Sequence, residues 1–247
     1  MHASENLYDK NGYFLEEFRG VAMRRFCPEP PRAASLSKAI APPGILVVEG
    51  FIGAKKCEDL YNFIIEQPTQ QAEVLNTKQF ESSGNASYEA DAQRITDIVD
   101  LGERRTDMLR EVMLGYQHCV TPFFKTDLDT LEPPSVLKYS AGGRYEPHAD
   151  SEHWNRDANR WIRSMKRDYS LLLYLNDGYK GGSLQFPNFK WAIQPKRGML
   201  ISFPSDHRYL HGAAPLISGT RIAVASWAKA KTPQLFDPIA ALASSTD

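Results

Sequence analysis

The chain contains 247 residues, of which 42% are hydrophobic, 24% charged and 11% aromatic. These proportions are typical of globular proteins and exclude disordered, collagen-like and coiled-coil classes. The 29 Lys and Arg residues are balanced by 30 Asp and Glu residues. Since no overall positive charge attracts a phosphate backbone or an anionic lipid surface, we expect neither nucleic acid nor a membrane as a partner.

The cysteines give an expectation about the compartment. Cys27, Cys57 and Cys119 form an odd set with wide spacings, which fits neither a disulfide framework nor a zinc-ligand pattern. No apolar run is long enough for a signal peptide at the start of the chain or for a membrane span elsewhere. The sequence therefore predicts reduced thiols and a cytoplasmic location.

Proline-rich stretches suggest how the chain is divided. Residues 1–44 end in two such stretches, which are typical of a connector or an arm. We predict that this arm contains at most one helix, near residues 15–25. Residues 45–230 are predicted to form a single domain, followed by a C-terminal tail at residues 231–247.

The first part of the domain has mixed patterns. Residues 45–48 predict a short buried strand, and residues 53–66 carry apolar side chains at helical spacing. The polar residues 67–92 predict a surface loop, and residues 94–99 predict a strand. Residues 104–125 predict a helix whose apolar stripe packs into the core.

From residue 136 the pattern changes to short β runs separated by turn residues. We predict strands at 136–139, 144–148, 169–175, 183–186, 190–193, 199–203 and 221–227. Strands at this spacing are typical of a sandwich or barrel. The predicted fold class is therefore α+β but mainly β, with N-terminal helices supporting a β-barrel.

Two histidines and one carboxylate have the composition of a metal site. Residues two apart on a strand point to the same face, so His148 and Asp150 can both reach one ion. His211 can complete the set from another strand. This triad leaves three coordination positions open, which suits non-haem Fe(II), although a zinc hydrolase uses similar ligands.

A basic residue follows the triad at the start of an apolar strand. Arg221 shares one strand face with Ala223, Ala225 and Trp227. The small alanines leave room for a ligand, and guanidinium groups bind carboxylates through two hydrogen bonds. A dicarboxylate near the metal fits this arrangement, whereas a structural salt bridge is the alternative.

Residues 134–229 resemble the prolyl 4-hydroxylase family of Fe(II)- and 2-oxoglutarate-dependent dioxygenases. The resemblance runs through Leu137-Lys-Tyr139, Gly142-Gly-Arg-Tyr-Glu-Pro-His148-Ala-Asp150, Leu171-Leu-Leu-Tyr-Leu-Asn-Asp177, Gly181-Gly182, Lys196-Arg-Gly198, His211 and Ser218-Gly-Thr-Arg221. It implies a double-stranded β-helix, of the jelly-roll or cupin type, at about residues 134–229.

The resemblance also implies the cofactors and the reaction. His148, Asp150 and His211 would bind Fe(II) as the catalytic centre, and Arg221 would pair with the distal carboxylate of 2-oxoglutarate with support from Tyr139. The enzyme would use O2 to hydroxylate an unactivated C–H bond while 2-oxoglutarate is decarboxylated to succinate and CO2. L-ascorbate is an optional reductant in this chemistry.

Substrate contacts are implied at three matching positions, Tyr145, Arg167 and Trp227. Together they favour a peptide or protein substrate, or an amino-acid-like one. Residues 151–168 contain two tryptophans and five basic residues. Our hypothesis is that this segment is a lid whose Trp154 and Trp161 close over the substrate. His153 is expected to point away from the metal if the strand continues past Asp150.

Three functions remain open at this point. The first is hydroxylation of a prolyl or other residue in a protein, and the second is the same chemistry on a free amino acid or natural-product intermediate. The third is a non-catalytic metal-binding barrel. The oligomeric state cannot be deduced from the sequence.

Overall fold

The fold combines short N-terminal helical segments with a large β-structure. The computed structural model describes residues 7–27, 41–75, 82–83, 87–89, 92–233 and 236. Its longer helices are α1 (Ala54–Ile65) and α2 (Arg105–Gly115), and α2 continues through a π-turn, Tyr116–Val120, into α3 (Thr121–Phe124). No helix in this part of the chain has the length and apolar character needed to span a bilayer.

The strands are numbered in chain order. They are β1 (Leu46–Val48), β2 (Thr69–Gln71), β3 (Val74–Leu75), β4 (Tyr88–Glu89), β5 (Arg94–Ile95), β6 (Asp97–Val99), β7 (Leu128–Leu131), β8 (Ser135–Tyr139), β9 (Arg144–His148), β10 (Glu152–Asn155), β11 (Arg160–Arg163), β12 (Tyr169–Tyr174), β13 (Lys180–Gly181), β14 (Leu184–Phe186), β15 (Trp191–Ile193), β16 (Leu200–Pro204), β17 (His211–Ala213), β18 (Leu216–Ser218) and β19 (Arg221–Ala230).

Two antiparallel sheets dominate the architecture. The larger sheet has the order β1-β16-β12-β19-β8-β6-β2, with β7 also paired to β19, and the smaller has the order β15-β14-β17-β9-β5. Sequence neighbours such as β16 and β17 lie in different sheets, so the chain crosses repeatedly between them. The predicted double-stranded β-helix is confirmed, and the fold class is mainly β with supporting helices.

Helices pack on one face of the larger sheet, and its other face lines a cavity. Ile222 and Val224 on β19 join the core that includes Leu60 of α1 and Val112 of α2. The alternate residues of β19 face the opposite side, as the two-residue period of a strand requires. This alternation gives the sheet a packed outer face and an inner face that lines a cavity.

The structure corrects two predictions of local structure. The helix predicted near residues 15–25 is instead two 3-10 segments, Glu16–Phe18 and Gly20–Phe26, because Gly20 at the start of the second segment adopts a positive φ of 68°. The loop predicted at residues 67–92 contains strands β2, β3 and β4. All three residues of β2 are exposed, and the strand pairs with β6 through backbone hydrogen bonds. Its sequence therefore lacks the alternation of apolar and polar residues by which a strand is predicted. Part of that predicted loop lies outside the described residues.

The helix predicted at residues 104–125 forms as α2, the π-turn and α3. Its stripe residues Met108, Val112, Tyr116 and Val120 are buried in the helix-covered core, so their predicted packing role is confirmed. The segment predicted as a lid, residues 151–168, contains a β-hairpin formed by β10 and β11.

The N-terminal arm packs directly on this hairpin. The indole N–H of Trp154 donates to the carbonyl of Lys10 at 3.2 Å, and that of Trp161 donates to the carbonyl of Gly12 at 3.0 Å. The imidazole of His207 stacks on the ring of Trp161, with centroids 5.1 Å apart. The Tyr8 hydroxyl lies 2.8 Å from His207 Nε2. The arm therefore holds the hairpin against the barrel.

Gly12 permits this close approach. It has a φ of 84°, and a Cβ at this position would lie 2.6 Å from Trp154 Cδ2. We expect Gly12→Ala to weaken the docking of the arm by roughly 2 kcal/mol or more, because left-handed backbone and overpacking both add cost. Hydrogen exchange should then show faster opening of residues 7–27 by at least about 30-fold.

Gly50→Ala is the matched control. Gly50 has a φ of 66°, but no atom lies within 4 Å of the place that a Cβ would occupy there, so this variant carries only the backbone cost. Equal effects of the two substitutions on exchange in the arm would contradict the proposed close packing at Gly12.

Candidate metal centre

Three potential metal ligands converge where the smaller sheet meets the loop after β9. Asp150 Oδ1 lies 3.6 Å from His148 Nε2, and Asp150 Oδ2 lies 3.5 Å from His211 Nε2. One ligand atom from each residue lies within 4.8 Å of the others. Among the described residues, this is the one cluster of His, Cys, Asp and Glu side chains with such spacing.

The strand register brings the two histidines together. His148 ends β9 and His211 begins β17, and they are directly paired across the antiparallel ladder. Asp150 lies just after β9 rather than on it. The sequence argument that His148 and Asp150 share one strand face is therefore wrong, although the structure does place both side chains at one point.

Backbone hydrogen bonds orient both imidazoles toward the carboxylate. His148 Nδ1 lies 2.9 Å from the Glu146 carbonyl, and His211 Nδ1 lies 3.2 Å from the Tyr209 carbonyl. Since a carbonyl only accepts, each Nδ1 carries a proton, which leaves Nε2 as the nitrogen that can bind a metal in the neutral ring. This tautomer is the one that binds a metal through Nε2.

The protonation states also suit a cation. Burial lowers the pKa of His211 to about 4, partly opposed by the charge of Asp150, so this imidazole is neutral at pH 7. Burial alone would raise the pKa of Asp150. The neighbouring His211 and the hydrogen bond and charge of His148 outweigh burial and hold that pKa well below its usual value. The cluster therefore presents a neutral His211 imidazole and an ionised Asp150 carboxylate beside the His148 ring.

Arg221 is a buried cation near this cluster. It is 2% exposed, its Nη1 donates to the Gly182 carbonyl, and its guanidinium carbon lies 4.0 Å from the ring centre of Tyr139. Within the described part of the chain, its Nε has no hydrogen-bond partner and no carboxylate pairs with it. A buried guanidinium in this state is well suited to an anionic ligand.

A cavity of about 1350 Å³ joins these groups. It is lined by His148, Asp150, His211, Arg221 and Tyr139, together with Ala223, Ala225 and Trp227 of β19. On β19, the residues that line the cavity share one face of the strand, as predicted from the sequence: Arg221, Ala223, Ala225 and Trp227. The donor set fits Fe(II), and the unpaired buried guanidinium fits the distal carboxylate of 2-oxoglutarate.

Tyr145 stacks on a candidate metal ligand. Its ring centre lies 3.6 Å from that of His148, and the Arg94 guanidinium carbon lies 4.9 Å from the centre of the Tyr145 ring. Burial raises the pKa of Tyr145 to about 12, so the phenol stays protonated. The side chain lines the cavity and supports the imidazole.

Arg167 lies in a polar wall of the same cavity. Its Nε and Nη2 donate to Glu132 Oε1 and Oε2 at 2.7 and 2.6 Å, and its guanidinium carbon lies 3.8 Å from the ring centre of Trp227. The two predicted substrate residues, Arg167 and Trp227, are thus stacked on each other. Glu132 could not be predicted as the partner of Arg167, because no local sequence pattern links residues 35 positions apart.

The hairpin contributes two further side chains to the mouth of the cavity. Trp154 and Trp161 both line it, and their indole N–H groups are bound to the arm. His153 is buried, precedes Trp154 directly and belongs to β10, while β9 ends at His148. The premise that one strand continues past Asp150 to His153 is therefore wrong.

The comparisons with known proteins agree with this geometry. Residues 134–229 match the model of the 2OG-Fe(II) oxygenase superfamily. The match contains the three candidate ligands, Arg221 and Tyr139. The chain therefore carries a domain of the 2OG-Fe(II) oxygenase superfamily.

Curated relatives point to one branch of that superfamily. Prolyl 4-hydroxylase subunit alpha-1 of Gallus gallus is 31% identical over 109 residues, which are 41% of this chain and 21% of that protein. Probable prolyl 4-hydroxylase 7 of Arabidopsis thaliana is 21% identical over 229 residues, 83% of this chain and 67% of that protein. The chain spans about a fifth of the length of the alpha-1 subunits that it matches.

Solved structures agree on the fold. A Pseudomonas putida prolyl-4-hydroxylase has a TM-score of 0.54 at 20% identity, covering 81% of this chain and 99% of that one. A Trichoplax adhaerens prolyl hydroxylase, solved with a hypoxia inducible factor peptide fragment, has a TM-score of 0.56 at 20% identity, covering 83% and 88%. At this level of identity the similarities show a shared fold, and the superfamily model that matches residues 134–229 implies Fe(II), 2-oxoglutarate and O2 as cofactors.

The three candidate ligands give a direct prediction. We expect His148→Ala, Asp150→Ala and His211→Ala each to weaken Co(II) binding by more than about 100-fold, because each removes one donor from a three-donor set. Anaerobic titration followed by visible absorption measures this. His118→Ala, at an exposed position in the π-turn, is the control and should bind as the wild type does. Unchanged binding in any ligand variant would exclude that residue from the site.

Proposed function

We propose that the protein is an Fe(II)- and 2-oxoglutarate-dependent dioxygenase that hydroxylates an unactivated C–H bond in a peptidyl residue, in the manner of a prolyl 4-hydroxylase. The observation that carries this proposal is the pairing, in one cavity, of a His-Asp-His cluster with a buried guanidinium that lacks an anionic partner. When bound, Fe(II) and 2-oxoglutarate would supply the oxidising chemistry, in which O2 is reduced as 2-oxoglutarate is decarboxylated to succinate and CO2.

The protein's own residues bind and orient the participants. His148, Asp150 and His211 would hold the metal as the catalytic centre, and Arg221 with Tyr139 would hold the distal carboxylate of 2-oxoglutarate. In the buried environment of Arg221, water competes poorly for that hydrogen bond. No side chain is required to act as a general base, so the chain's contribution is placement and the exclusion of water.

The size of the cavity favours a substrate larger than a free amino acid. A volume of about 1350 Å³ exceeds the roughly 300–1,000 Å³ typical of small-molecule sites. The cavity also extends from the metal cluster to the polar strand β2 through Gln70 and Gln71. Relatives named as prolyl 4-hydroxylases support a peptidyl substrate.

The walls near the metal provide contacts suited to such a substrate. Three aromatic side chains and one cation line the cavity near the metal cluster: Tyr145, Trp154, Trp227 and Arg167. Arg167 and Trp227 stack on each other. Stacked aromatic and guanidinium groups bind a compact apolar ring through their flat surfaces. We propose these four as substrate-binding residues, and the hairpin that carries Trp154 as a lid.

The cysteines bear on the compartment. Cys27, Cys57 and Cys119 are all free thiols, and burial raises the pKa of each. Unpaired, protonated thiols are typical of a reducing compartment. We propose a cytoplasmic location on this basis.

The family resemblance supports a second proposal, that L-ascorbate is the reductant that returns oxidised iron to Fe(II).

Arg221 provides a test of the co-substrate assignment. We expect Arg221→Met to weaken 2-oxoglutarate binding by about 10- to 150-fold, the range for hydrogen bonds to charged groups, with Fe(II) affinity changed less than about threefold. Anaerobic titration of the Fe(II) protein with 2-oxoglutarate, followed by the weak visible charge-transfer band, measures the first affinity. Titration of the protein with Fe(II) at saturating 2-oxoglutarate, followed by the same band, compares the second. Arg221→Lys keeps the charge and should lose less affinity.

The thermal stability of Arg221→Met separates binding from folding. Since the variant replaces an unpaired buried cation with an apolar group, its melting temperature without ligands should equal or exceed that of the wild type. An unchanged 2-oxoglutarate affinity in a folded variant would contradict the role given to Arg221.

Turnover tests the substrate class. We expect succinate formation from 2-oxoglutarate to be stimulated by proline-containing peptides, and the peptide to gain one oxygen atom by mass spectrometry. Free proline and other free amino acids should stimulate it at least about tenfold less, because they fill little of the cavity. His148→Ala is the control for metal-dependent turnover.

The other outcomes each favour a different function. Stimulation by free amino acids alone would favour a small-molecule hydroxylase. Bound Fe(II) without succinate formation under any substrate would favour a non-catalytic metal-binding barrel.

A further inference from the structure

The carboxylate of Asp150 is held by a residue outside the metal cluster. Ser170 Oγ lies 2.6 Å from Asp150 Oδ2, and Ser205 Oγ lies 2.7 Å from Ser170 Oγ. Ser170 on β12 and Ser205 just after β16 are 0% and 2% exposed. The hydroxyls of Ser205 and Ser170 therefore form a hydrogen-bonded chain to Asp150, the only carboxylate of the cluster.

The direction of the hydrogen bonds follows from the donors available. An ionised carboxylate only accepts, and a serine hydroxyl has one proton. Ser170 therefore donates to Asp150, and its oxygen can then accept from Ser205. The chain runs from Ser205 through Ser170 to Asp150, and each bond polarises the next in this buried environment.

Asp150 depends on these contacts because it lies outside the strand ladder. Its backbone N–H donates to the Ser205 carbonyl at 3.1 Å, and the N–H and Oγ of Ser151 reach the same carbonyl at 3.0 Å each. The main chain at Asp150 is thus fixed by Ser205, and its side chain is fixed by Ser170. Ser170 and Ser205 come from β12 and from just after the end of β16 in the larger sheet. They therefore position Asp150, which lies just after β9 of the smaller sheet.

We propose that Ser170 is a positioning residue for the metal, which sets the rotation of the Asp150 carboxylate between the two imidazoles, and that Ser205 orients the Ser170 hydroxyl. This inference rests on the proposed function, since it assumes that the cluster binds a divalent cation. Without the hydroxyl, the carboxylate would lose its only side-chain donor among the described residues other than the two histidines.

The chain offers a matched control for a merely structural serine. Ser202 on β16 is also 0% exposed, and its Oγ donates to the Ser170 carbonyl at 2.7 Å. Ser202→Ala therefore removes a buried hydroxyl from the same pair of strands without touching Asp150. Ser170→Thr keeps the hydroxyl and adds a methyl group, which tests for rescue.

The experiment is anaerobic titration of the full chain with Co(II), followed by its visible d–d absorption. We expect Ser170→Ala to weaken Co(II) binding by about 10- to 100-fold, the usual effect of removing a group that orients a ligand, and to alter the d–d spectrum. Ser205→Ala should have a smaller effect of the same sign. Ser202→Ala should stay within about twofold of the wild type and Ser170→Thr within about threefold.

The outcomes separate this inference from the proposed function. A wild-type chain that does not bind Co(II) would overturn the metal assignment itself. A wild type that binds, with Ser170→Ala binding equally well, would overturn the positioning role alone. If Ser170→Ala does not fold, the other variants decide: the inference stands when Ser205→Ala weakens binding and Ser202→Ala does not, and it fails when these two bind alike.

Discussion

Antiparallel strand register is the constraint on which the rest of the site depends. Pairing of β9 with β17 sets His148 opposite His211, and pairing of β8 with β19 sets Tyr139 opposite Arg221. A shift of one residue in either pair would turn the side chains to the other face of the sheet. The site is therefore specified by the same backbone hydrogen bonds that build the barrel, and its geometry is as rigid as the two sheets.

The cavity holds two buried charges of opposite sign, which the protein compensates unequally. Asp150 contacts two histidines, of which His211 is neutral at pH 7, and Arg221 has no carboxylate partner among the described residues. The lowered pKa of Asp150 indicates that its neighbours favour the ionised carboxylate, whereas the unpaired Arg221 reduces the stability of the folded chain, because burial removes it from water. An anionic ligand bound by Arg221 would compensate its charge, so ligand binding and folding stability are coupled here.

The barrel could be predicted from strand periodicity and the side chains at its centre from short motifs, although Asp150 lies after β9 and not on the strand face that periodicity assumed. The neighbours of those side chains were not predictable in the same way. Glu132 pairs with Arg167, and Ser170 and Ser205 reach Asp150, across 20 to 55 residues of chain. Contacts of this kind leave no periodic pattern, since they depend on which strands cross from one sheet to the other.

The way in which the arm meets the hairpin has an evolutionary consequence. Both tryptophans donate to carbonyl oxygens of the main chain, at Lys10 and Gly12, and every amino acid supplies such an oxygen. Homologous chains can therefore diverge freely at position 10 while keeping this contact, whereas position 12 must remain glycine and both indoles must persist. An arm that shows little sequence similarity among relatives can still form the same wall of the cavity.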